Sequence, residues 1–325
     1  MTQKENNPFR YSDTNKRYHT YDYHFRQTYG KKCVKIPLDA GMTCPNRDGR
    51  CGVGGCIYCS ERGSGDFAAS ATLPIAAQYD LQRRVLAQKW KDFACIPYFQ
   101  AHTNTYAPLP RLRELFEEAA ALPDAVGVSI ATRADCLPDE TVAYLAELSE
   151  RTDVTVELGL QTVHDETALR IRRGHSFADF LEGYGRLRER APRVRIGVHV
   201  IFGLIGENDE MMVQTVQKVA ALRPDEVKFH LLYVVEGTEM AKIYRENRYF
   251  PMEQTQYVDL VVRLLELLPP ETVVGRLTGD GDRKTLLAPF WSTNKRAVLN
   301  EIDKKFYENN SHQGIRFLNC ADAKA

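Results

Sequence analysis

The sequence has no apolar run long enough to cross a membrane. Such a span needs roughly 18 to 20 consecutive apolar residues. The first 30 residues are polar, aromatic and basic, so they do not resemble the apolar core of an export signal. These two absences predict a protein that is neither exported nor embedded in a membrane. The spacing of its cysteines, described below, predicts a reducing, cytoplasmic location.

An excess of charge of either sign is also missing. The chain has 43 Lys and Arg residues and 43 Asp and Glu residues, so no overall field favours nucleic acid, and any such surface must be local. Residues 10–32 interleave six basic with six aromatic side chains, a mixture that suits contact with RNA. The arginines between residues 186 and 195 are interpreted as a solvated helix face.

The cysteines do not have the dense, regular spacing of a secreted disulfide scaffold. Of the eight, four stand alone and four share a short glycine-rich segment, namely Cys44, Cys51, Cys56 and Cys59. Thiolates that converge from a curled loop bind either a tetrahedral zinc ion or an iron–sulfur cluster. The segment therefore predicts a metal site, and its spacing leaves both metals open.

Short apolar runs alternate with longer amphipathic stretches, a pattern that indicates repeated strand–helix units. The predicted strands are 33–38, 96–101, 125–131, 154–160, 195–202 and 226–235. The predicted helices are 75–90, 109–121, 139–150, 177–190, 210–221 and 254–268. Six such units with one type of strand predict an α/β fold with a parallel sheet, curled into a partial (β/α)6 TIM-like barrel. A flat doubly wound sheet is the alternative.

The barrel is expected to span residues 33–285. Residues 1–32 form a basic and aromatic N-terminal extension in this prediction, and residues 286–325 form a C-terminal helical cap and tail. Parallel barrels place their chemistry at the C-terminal ends of their strands, and the cysteine segment follows the first strand. We therefore expect the metal at the mouth of the barrel.

Polar side chains interrupt the predicted strands, although parallel strands covered on both faces normally read as continuous apolar runs. By the two-residue period of a strand, the following share one face within their strands: Tyr98, Gln100 and His102; Glu157 and Gln161; His199; Lys228 and His230. If this face lines the barrel, it offers hydrogen-bonding groups to a polar ligand. Taken singly, each residue is equally well a satisfied polar group of the core.

Six segments, in this order and spacing, resemble the radical S-adenosylmethionine (SAM) superfamily. They are Cys44 to Cys59, Tyr98-Phe-Gln-Ala-His-Thr-Asn-Thr-Tyr-Ala107, Glu157-Leu-Gly-Leu-Gln-Thr162, Arg173-Gly-His175, His199-Val-Ile-Phe-Gly-Leu-Ile-Gly-Glu207 and Lys228-Phe-His-Leu-Leu232. The resemblance runs from about residue 8 to about residue 305. It is nearest to small bacterial proteins related to the catalytic subunit of elongator.

The resemblance implies a [4Fe-4S] cluster held by Cys44, Cys56 and Cys59, with the spacing Cys-x11-Cys-x2-Cys. Three ligands leave the fourth iron open to SAM, which the cluster cleaves to a 5′-deoxyadenosyl radical. Cys51 departs from the family pattern. It is interpreted as an alternate ligand, a resolving or persulfide-carrying thiol, or a small residue tolerated in the loop.

The resemblance also implies residues that contact SAM. Gln100 and Asn104 would lie near the methionine amino group. The other positions implied are Glu157 and Gln161 at the ribose or methionine moiety, His199 and Gly203 at the adenine, and Lys228 and His230 near cofactor or substrate. No catalytic residue is assigned.

The reaction implied by the resemblance is modification of the 5-aminomethyl-type side chain of tRNA wobble uridine. It implies tRNA as substrate and a flavodoxin- or ferredoxin-type electron donor. The chain is too short for an acetyltransferase domain after the barrel, so acyl-CoA chemistry is not expected. Two alternatives stay open: radical chemistry on a small metabolite or protein side chain, and a non-catalytic metal-binding module that recruits tRNA-modifying proteins.

Overall fold

A computed structural model of the protein describes residues 7–63, 65, 68–279 and 283–317. Parts of several predictions lie outside these residues. They are the first six residues of the N-terminal extension, residues 280–282 near the end of the predicted barrel, and residues 318–325 of the tail with Cys320. The three domains drawn from the sequence, and the two boundaries between them, stay predictions.

Two compact units make up the chain. The first, called here the cysteine unit, consists of Phe25–Leu160 and Arg172–Gly197. The second, called the C-terminal unit, consists of Met1–His24, Gln161–Ile171 and Val198–Ala325.

Strands and helices alternate along the chain. The strands are β1 (Cys33–Leu38), β2 (Ala94–Phe99), β3 (Gly127–Thr132), β4 (Asp153–Gln161), β5 (Arg195–Phe202), β6 (Glu226–Leu231), β7 (Val234–Val235), β8 (Val273–Arg276) and β9 (Leu286–Ala288). The helices are α1 (Tyr21–Tyr29), α2 (Ile75–Ala87), α3 (Leu109–Ala120), α4 (Asp139–Ser149), α5 (Asp165–Arg170), α6 (Phe177–Arg190), α7 (Asp209–Ala221), α8 (Glu239–Arg245), α9 (Gln254–Leu265) and α10 (Lys295–Glu308). None of these helices, within the described residues, is long and apolar enough to span a membrane.

Seven strands, β1 to β6 and β8, belong to one sheet. In the cysteine unit β1, β2, β3 and β4 pair in parallel in chain order, with Cys33 opposite Ala94 and Gly127 opposite Asp153. In the C-terminal unit β6 pairs in parallel with β8. Strands β7 and β9 form a separate antiparallel pair. The parallel pairing was predicted, but β8 and the antiparallel pair were not.

The amphipathic pattern explains how the helices pack. In α3 the buried side chains are Leu112, Leu115, Phe116 and Ala119, which repeat at helical spacing and so share one face. Helix α6 begins at a capping box. The Ser176 hydroxyl accepts from the Asp179 backbone N–H at 3.1 Å, and the Asp179 carboxylate accepts from the Ser176 N–H at 2.7 Å.

The N-terminal segment is partly a structural element. Arg17, Tyr18 and His19 are 6%, 5% and 5% exposed. The Arg17 guanidinium donates to the Phe306 and Ser311 carbonyls at 3.3 Å each. The expectation that this segment contacts RNA is therefore wrong for Arg17 and Tyr18, because burial removes both side chains from any RNA surface.

Replacing Arg17 by Met should lower the free energy of unfolding by about 1–3 kcal/mol, because two buried carbonyls lose a charged donor. Urea denaturation of the two proteins measures the difference. Arg10→Met is the control, since Arg10 is exposed in the same segment and should change stability by less than about 0.5 kcal/mol. Equal stability of both variants with wild type would contradict the structural role of Arg17.

Candidate cofactor site

The cysteine loop (residues 44–59) is held by tight turns at both ends. The Arg47 and Asp48 N–H groups donate to the Cys44 carbonyl at 2.8 and 3.3 Å, and the Cys59 N–H donates to the Cys56 carbonyl at 3.0 Å. Backbone hydrogen bonds thus curl the chain around Cys44 and again between Cys56 and Cys59. The loop therefore presents its outer cysteines from two turns, as a multi-thiolate site requires.

The segment 172–174 packs against this loop through Asn46. The Asn46 side chain, 3% exposed, donates to the Arg172 carbonyl and lies 3.5 Å from the Cys56 sulfur. Gly174 has a φ of +76°, and a Cβ there would lie 2.8 Å from the Asn46 side-chain oxygen. A larger residue at position 174 is therefore excluded by both backbone conformation and space. The Arg173-Gly174-His175 motif supports the cysteine loop in this way.

Arg133 fixes the same segment from the end of β3. Its side chain is 2% exposed. The guanidinium donates two hydrogen bonds to the Asp135 carboxylate, from Nε to Oδ1 at 2.9 Å and from Nη2 to Oδ2 at 2.7 Å. It also donates to the carbonyls of Arg173 and Gly174, both at 2.9 Å. Arg133 and Asp135 were not predicted as site residues. The signal available in the sequence was an Arg-x-Asp pair directly after an apolar strand.

Positive charge surrounds the thiols. The pKa of the Cys56 thiol is lowered to about 5, chiefly because the Cys59 side chain hydrogen-bonds to it. Burial opposes this shift, whereas the nearby guanidinium groups of Arg173 and Arg133 lower the pKa further toward that value. The pKa of the Cys59 thiol is raised, because this thiol hydrogen-bonds to Cys56 and is buried. The surroundings thus favour a thiolate at Cys56 and a protonated thiol at Cys59.

Several buried polar atoms near the ends of β2 and α5 have no hydrogen-bond partner among the described residues. Asn104 is 0% exposed and donates to the Phe99 and Ala131 carbonyls at 3.0 and 2.9 Å, but its side-chain oxygen is unpaired. Nε of Arg173 and Nε2 of His175 are likewise buried and without a hydrogen-bond partner among the described residues. Buried polar atoms are normally paired. These atoms therefore fit a polar ligand bound in the cysteine unit.

His175 is neutral in this environment. Its Nδ1 lies 3.1 Å from the Ser176 carbonyl, so Nδ1 carries the proton and Nε2 is the acceptor. Burial, and then the positive charge of the nearby Arg173, lower the pKa of His175 to about 4. The imidazole is therefore an acceptor rather than a cation at neutral pH.

Glu157 is buried among three protein donors. Its carboxylate, 3% exposed, accepts from Lys35, from the Ser129 hydroxyl at 3.0 Å and from the Tyr98 hydroxyl at 2.7 Å. Both oxygens are thus engaged within the cysteine unit. The predicted SAM contact at Glu157 stays a prediction, and a ligand there would have to share or displace one of these donors.

Strand β2 ends at Phe99, so Gln100 and His102 do not continue its two-residue alternation. The prediction that Tyr98, Gln100 and His102 share a strand face is therefore wrong. The Gln100 N–H still donates to the Leu38 carbonyl at 3.2 Å, whereas His102 has a φ of +61°. Such a conformation costs energy for a residue other than glycine and is concentrated at ligand sites.

In the C-terminal unit, His199 and His230 lie side by side. Their ring centroids are 4.4 Å apart with the planes at 80°, an edge-to-face pair as their places on β5 and β6 suggest. Lys228, on β6, is 6% exposed. Gln161 has a φ of +77° and a buried side-chain oxygen with no partner in the described chain. Among these four predicted residues, Gln161 thus combines a strained backbone with a side-chain acceptor that has no partner in the described chain.

A cavity of about 780 Å³ lies in the same unit, and Gly203 is one of the residues that line it. The cavity is lined by residues 203–210 and 248–252, together with Met212 and Gln256. Gly203 has a φ of +76°, and its carbonyl accepts from the Tyr249 hydroxyl at 2.8 Å. Nearby, burial raises the pKa of Glu207, whose carboxylate accepts from the Thr162 hydroxyl at 2.5 Å.

The donor set of the cysteine loop fits a cluster. Thiolates are the ligands that [4Fe-4S] clusters take, and the loop supplies them from two turns. Cys44, Cys56 and Cys59 would hold such a cluster, and the unpaired acceptor of Asn104 fits a polar ligand of the SAM type.

The fold and the loop together define an α/β protein with a cysteine-rich cofactor site. The sequence profile of the radical SAM superfamily matches residues 47–219, and that of the Radical_SAM C-terminal domain matches residues 224–308. The chain belongs to the radical SAM superfamily. It is thus an enzyme of that superfamily, and its cofactors are a [4Fe-4S] cluster and SAM, as predicted.

Two relatives illustrate the range of similarity. The uncharacterized protein YtqA of Bacillus subtilis is 48% identical over 321 residues, covering 99% of both chains. A tRNA uridine(34) acetyltransferase of Dehalococcoides mccartyi is 28% identical over 200 residues, covering 61% of this chain and 41% of that protein. This chain thus aligns with less than half of the acetyltransferase.

The solved structure of Elp3 from the archaeon Methanocaldococcus infernus, lacking its residues 1–46, has a TM-score of 0.63 and 15% identity. The match covers 86% of this chain and 64% of the archaeal one. This likeness confirms the predicted fold class, a partial TIM-like barrel of the α/β type.

Arg133→Lys should reduce both stability and cluster loading. Lysine keeps the charge but not the planar fork, so the Arg173 and Gly174 carbonyls lose donors, and the free energy of unfolding should fall by about 1–3 kcal/mol. Chemical denaturation and iron content per chain measure the two effects.

Arg113→Lys is the matched control, because Arg113 makes a similar fork onto Glu147 on an exposed surface. It should change stability by less than about 0.5 kcal/mol and leave iron content unchanged. Equal iron content in the two variants would show that Arg133 does not support the loop.

Proposed function

We propose that this enzyme modifies the 5-aminomethyl-type side chain of the wobble uridine of tRNA. The observation that carries the proposal is the similarity to a tRNA uridine(34) acetyltransferase over 61% of this chain, since uridine 34 is the wobble position. A shared site for the same nucleoside accounts for a similarity that covers only part of the longer protein.

The cofactor roles are proposed as follows. Cys44, Cys56 and Cys59 hold the cluster, and the SAM-binding residues are Gln100, Asn104, Glu157, Gln161, His199, Gly203, Lys228 and His230. When bound, the two cofactors supply a carbon radical able to abstract hydrogen from an unactivated carbon. Asn104 supports this assignment best, because its buried oxygen can accept from an ammonium group without losing an existing bond.

Partners follow from this chemistry. The substrate is tRNA, reduction of the cluster requires a flavodoxin- or ferredoxin-type donor, and we place the enzyme in the cytoplasm, where both occur. In the N-terminal segment the RNA contact falls to exposed Arg10, whose guanidinium lies 4.6 Å from the centroid of the Tyr11 ring. A stacked cation of this kind suits an unstacked base or a phosphate.

Deletion of the gene should change the wobble nucleoside of tRNA. Mass spectrometry of nucleosides from deleted and wild-type cells should show a precursor that replaces the finished nucleoside, and the mass difference would give the group altered. A plasmid with the wild-type gene should restore the profile, while one with Cys56→Ala should not. An unchanged profile would refute the tRNA proposal and favour a small metabolite or a protein side chain as substrate.

The ligand assignment is tested by single substitutions. Cys44→Ala, Cys56→Ala and Cys59→Ala should each abolish the visible absorption of the cluster and the formation of 5′-deoxyadenosine from SAM with dithionite. Cys51→Ala is the control in the same loop and should retain both signals. Loss of the cluster in the Cys51 variant would make Cys51 a ligand and overturn the choice of three.

A further inference from the structure

Two cysteines outside the proposed ligand set line one cavity of the cysteine unit. The cavity has a volume of about 680 Å³, and its walls include Pro45 and Cys51 of the cysteine loop, Thr105 after β2, and Cys136 after β3. Cys51 is exposed and Cys136 is half-buried. Cys33 and Cys95 are 4% and 0% exposed by contrast. A small molecule that enters the cavity therefore meets both Cys51 and Cys136.

The same network that supports the cysteine loop brings these thiols to the cavity. A Cβ on Gly174 would lie 3.5 Å from the Cβ of Cys51, and the Gly174 carbonyl accepts from Arg133 at 2.9 Å. Arg133 forks onto Asp135, the residue before Cys136. Cys51 and Cys136 are thus each next to a partner of the same buried guanidinium: Cys51 lies beside Gly174, and Cys136 follows Asp135.

We propose that Cys51 and Cys136 are a redox-active dithiol, which a low-molecular-weight disulfide converts to an intramolecular disulfide. The exposed Cys51 thiolate attacks one sulfur of the small disulfide, forming a mixed disulfide and releasing one small thiolate. The Cys136 thiolate then attacks the Cys51 sulfur, forming the protein disulfide and releasing the second small thiolate. The two protons lost by the cysteines are taken up by the released thiolates, so the small disulfide is reduced as the protein is oxidised.

This pairing has a consequence for the cysteine loop. Cys51 lies between the proposed ligands in sequence, so without another partner it is free to exchange with a disulfide of Cys44, Cys56 or Cys59 when the cluster is lost. Pairing with Cys136 instead removes Cys51 from such exchange. The dithiol therefore protects the capacity of the loop to bind a new cluster, whatever the substrate of the enzyme.

The test is disulfide mapping on the cluster-loaded full-length protein. The protein is treated without oxygen with oxidised glutathione, alkylated with N-ethylmaleimide, and digested with trypsin without reduction. Peptide 51–62 should be found linked to peptide 134–151, with fragment ions that place the bond at Cys51. Cys33→Ser, which alters a buried thiol, should give the same linked peptide in the same yield.

Two variants separate the steps. Cys136→Ser should lose the linked peptide and accumulate glutathione on Cys51, whereas Cys51→Ser should lose both products. Both variants should keep the visible absorption of the cluster. A bond at Cys56 or Cys59 in the wild-type digest, alkylation of both Cys51 and Cys136 after oxidation, or loss of the cluster in either variant would overturn the proposal.

Discussion

The buried fork of Arg133 is the interaction on which the cofactor site depends. A guanidinium that is 2% exposed is stable in a protein core only when its donors are satisfied and its charge is matched. Asp135 supplies the charge, and the carbonyls of Arg173 and Gly174 take the remaining donors. One side chain therefore ties the end of β3 to the segment that packs on the cysteine loop.

This arrangement explains why the loop can be rich in glycine and still be ordered. Glycine lets the chain curl but lowers its rigidity, since the unfolded state gains most from that freedom. The cysteine unit offsets this cost with contacts from outside the loop, among them the bond from Asn46 to the Arg172 carbonyl. The thiols are thus positioned by a rigid frame, although the loop that carries them has little intrinsic preference for one conformation.

The sequence predicts the regular parts of this fold well. The bounds of β1, β5 and α6 agree with prediction, because each has a clear apolar period and α6 has a capping residue at its start. The missed elements are short or weakly apolar. Strand β8 has four residues, one of them glycine, and α1 buries a single side chain, Phe25. Their stability comes from tertiary packing, which local periodicity does not contain.

The sequence indicates some residues of the candidate site and not others, and the reason again lies in which features are local. Cys44, Cys56 and Cys59 stand out because their chemistry and spacing are local in the sequence. Arg133 does not, since its partners at 173 and 174 are about 40 residues away. Contacts at that separation are set by the pairing of strands, so a supporting residue of this kind is visible only after the fold is known.

The predicted SAM-binding residues also differ in what binding would cost them. Asn104 and Gln161 have buried oxygens with no partner in the described chain, so a donor from the cofactor removes an existing penalty of about 1–3 kcal/mol. Glu157 already accepts from Lys35, Ser129 and Tyr98, so a new donor must compete with three others. Asn104 and Gln161 can therefore each accept from a ligand without losing an existing bond, whereas Glu157 already holds Lys35 and Tyr98 in place.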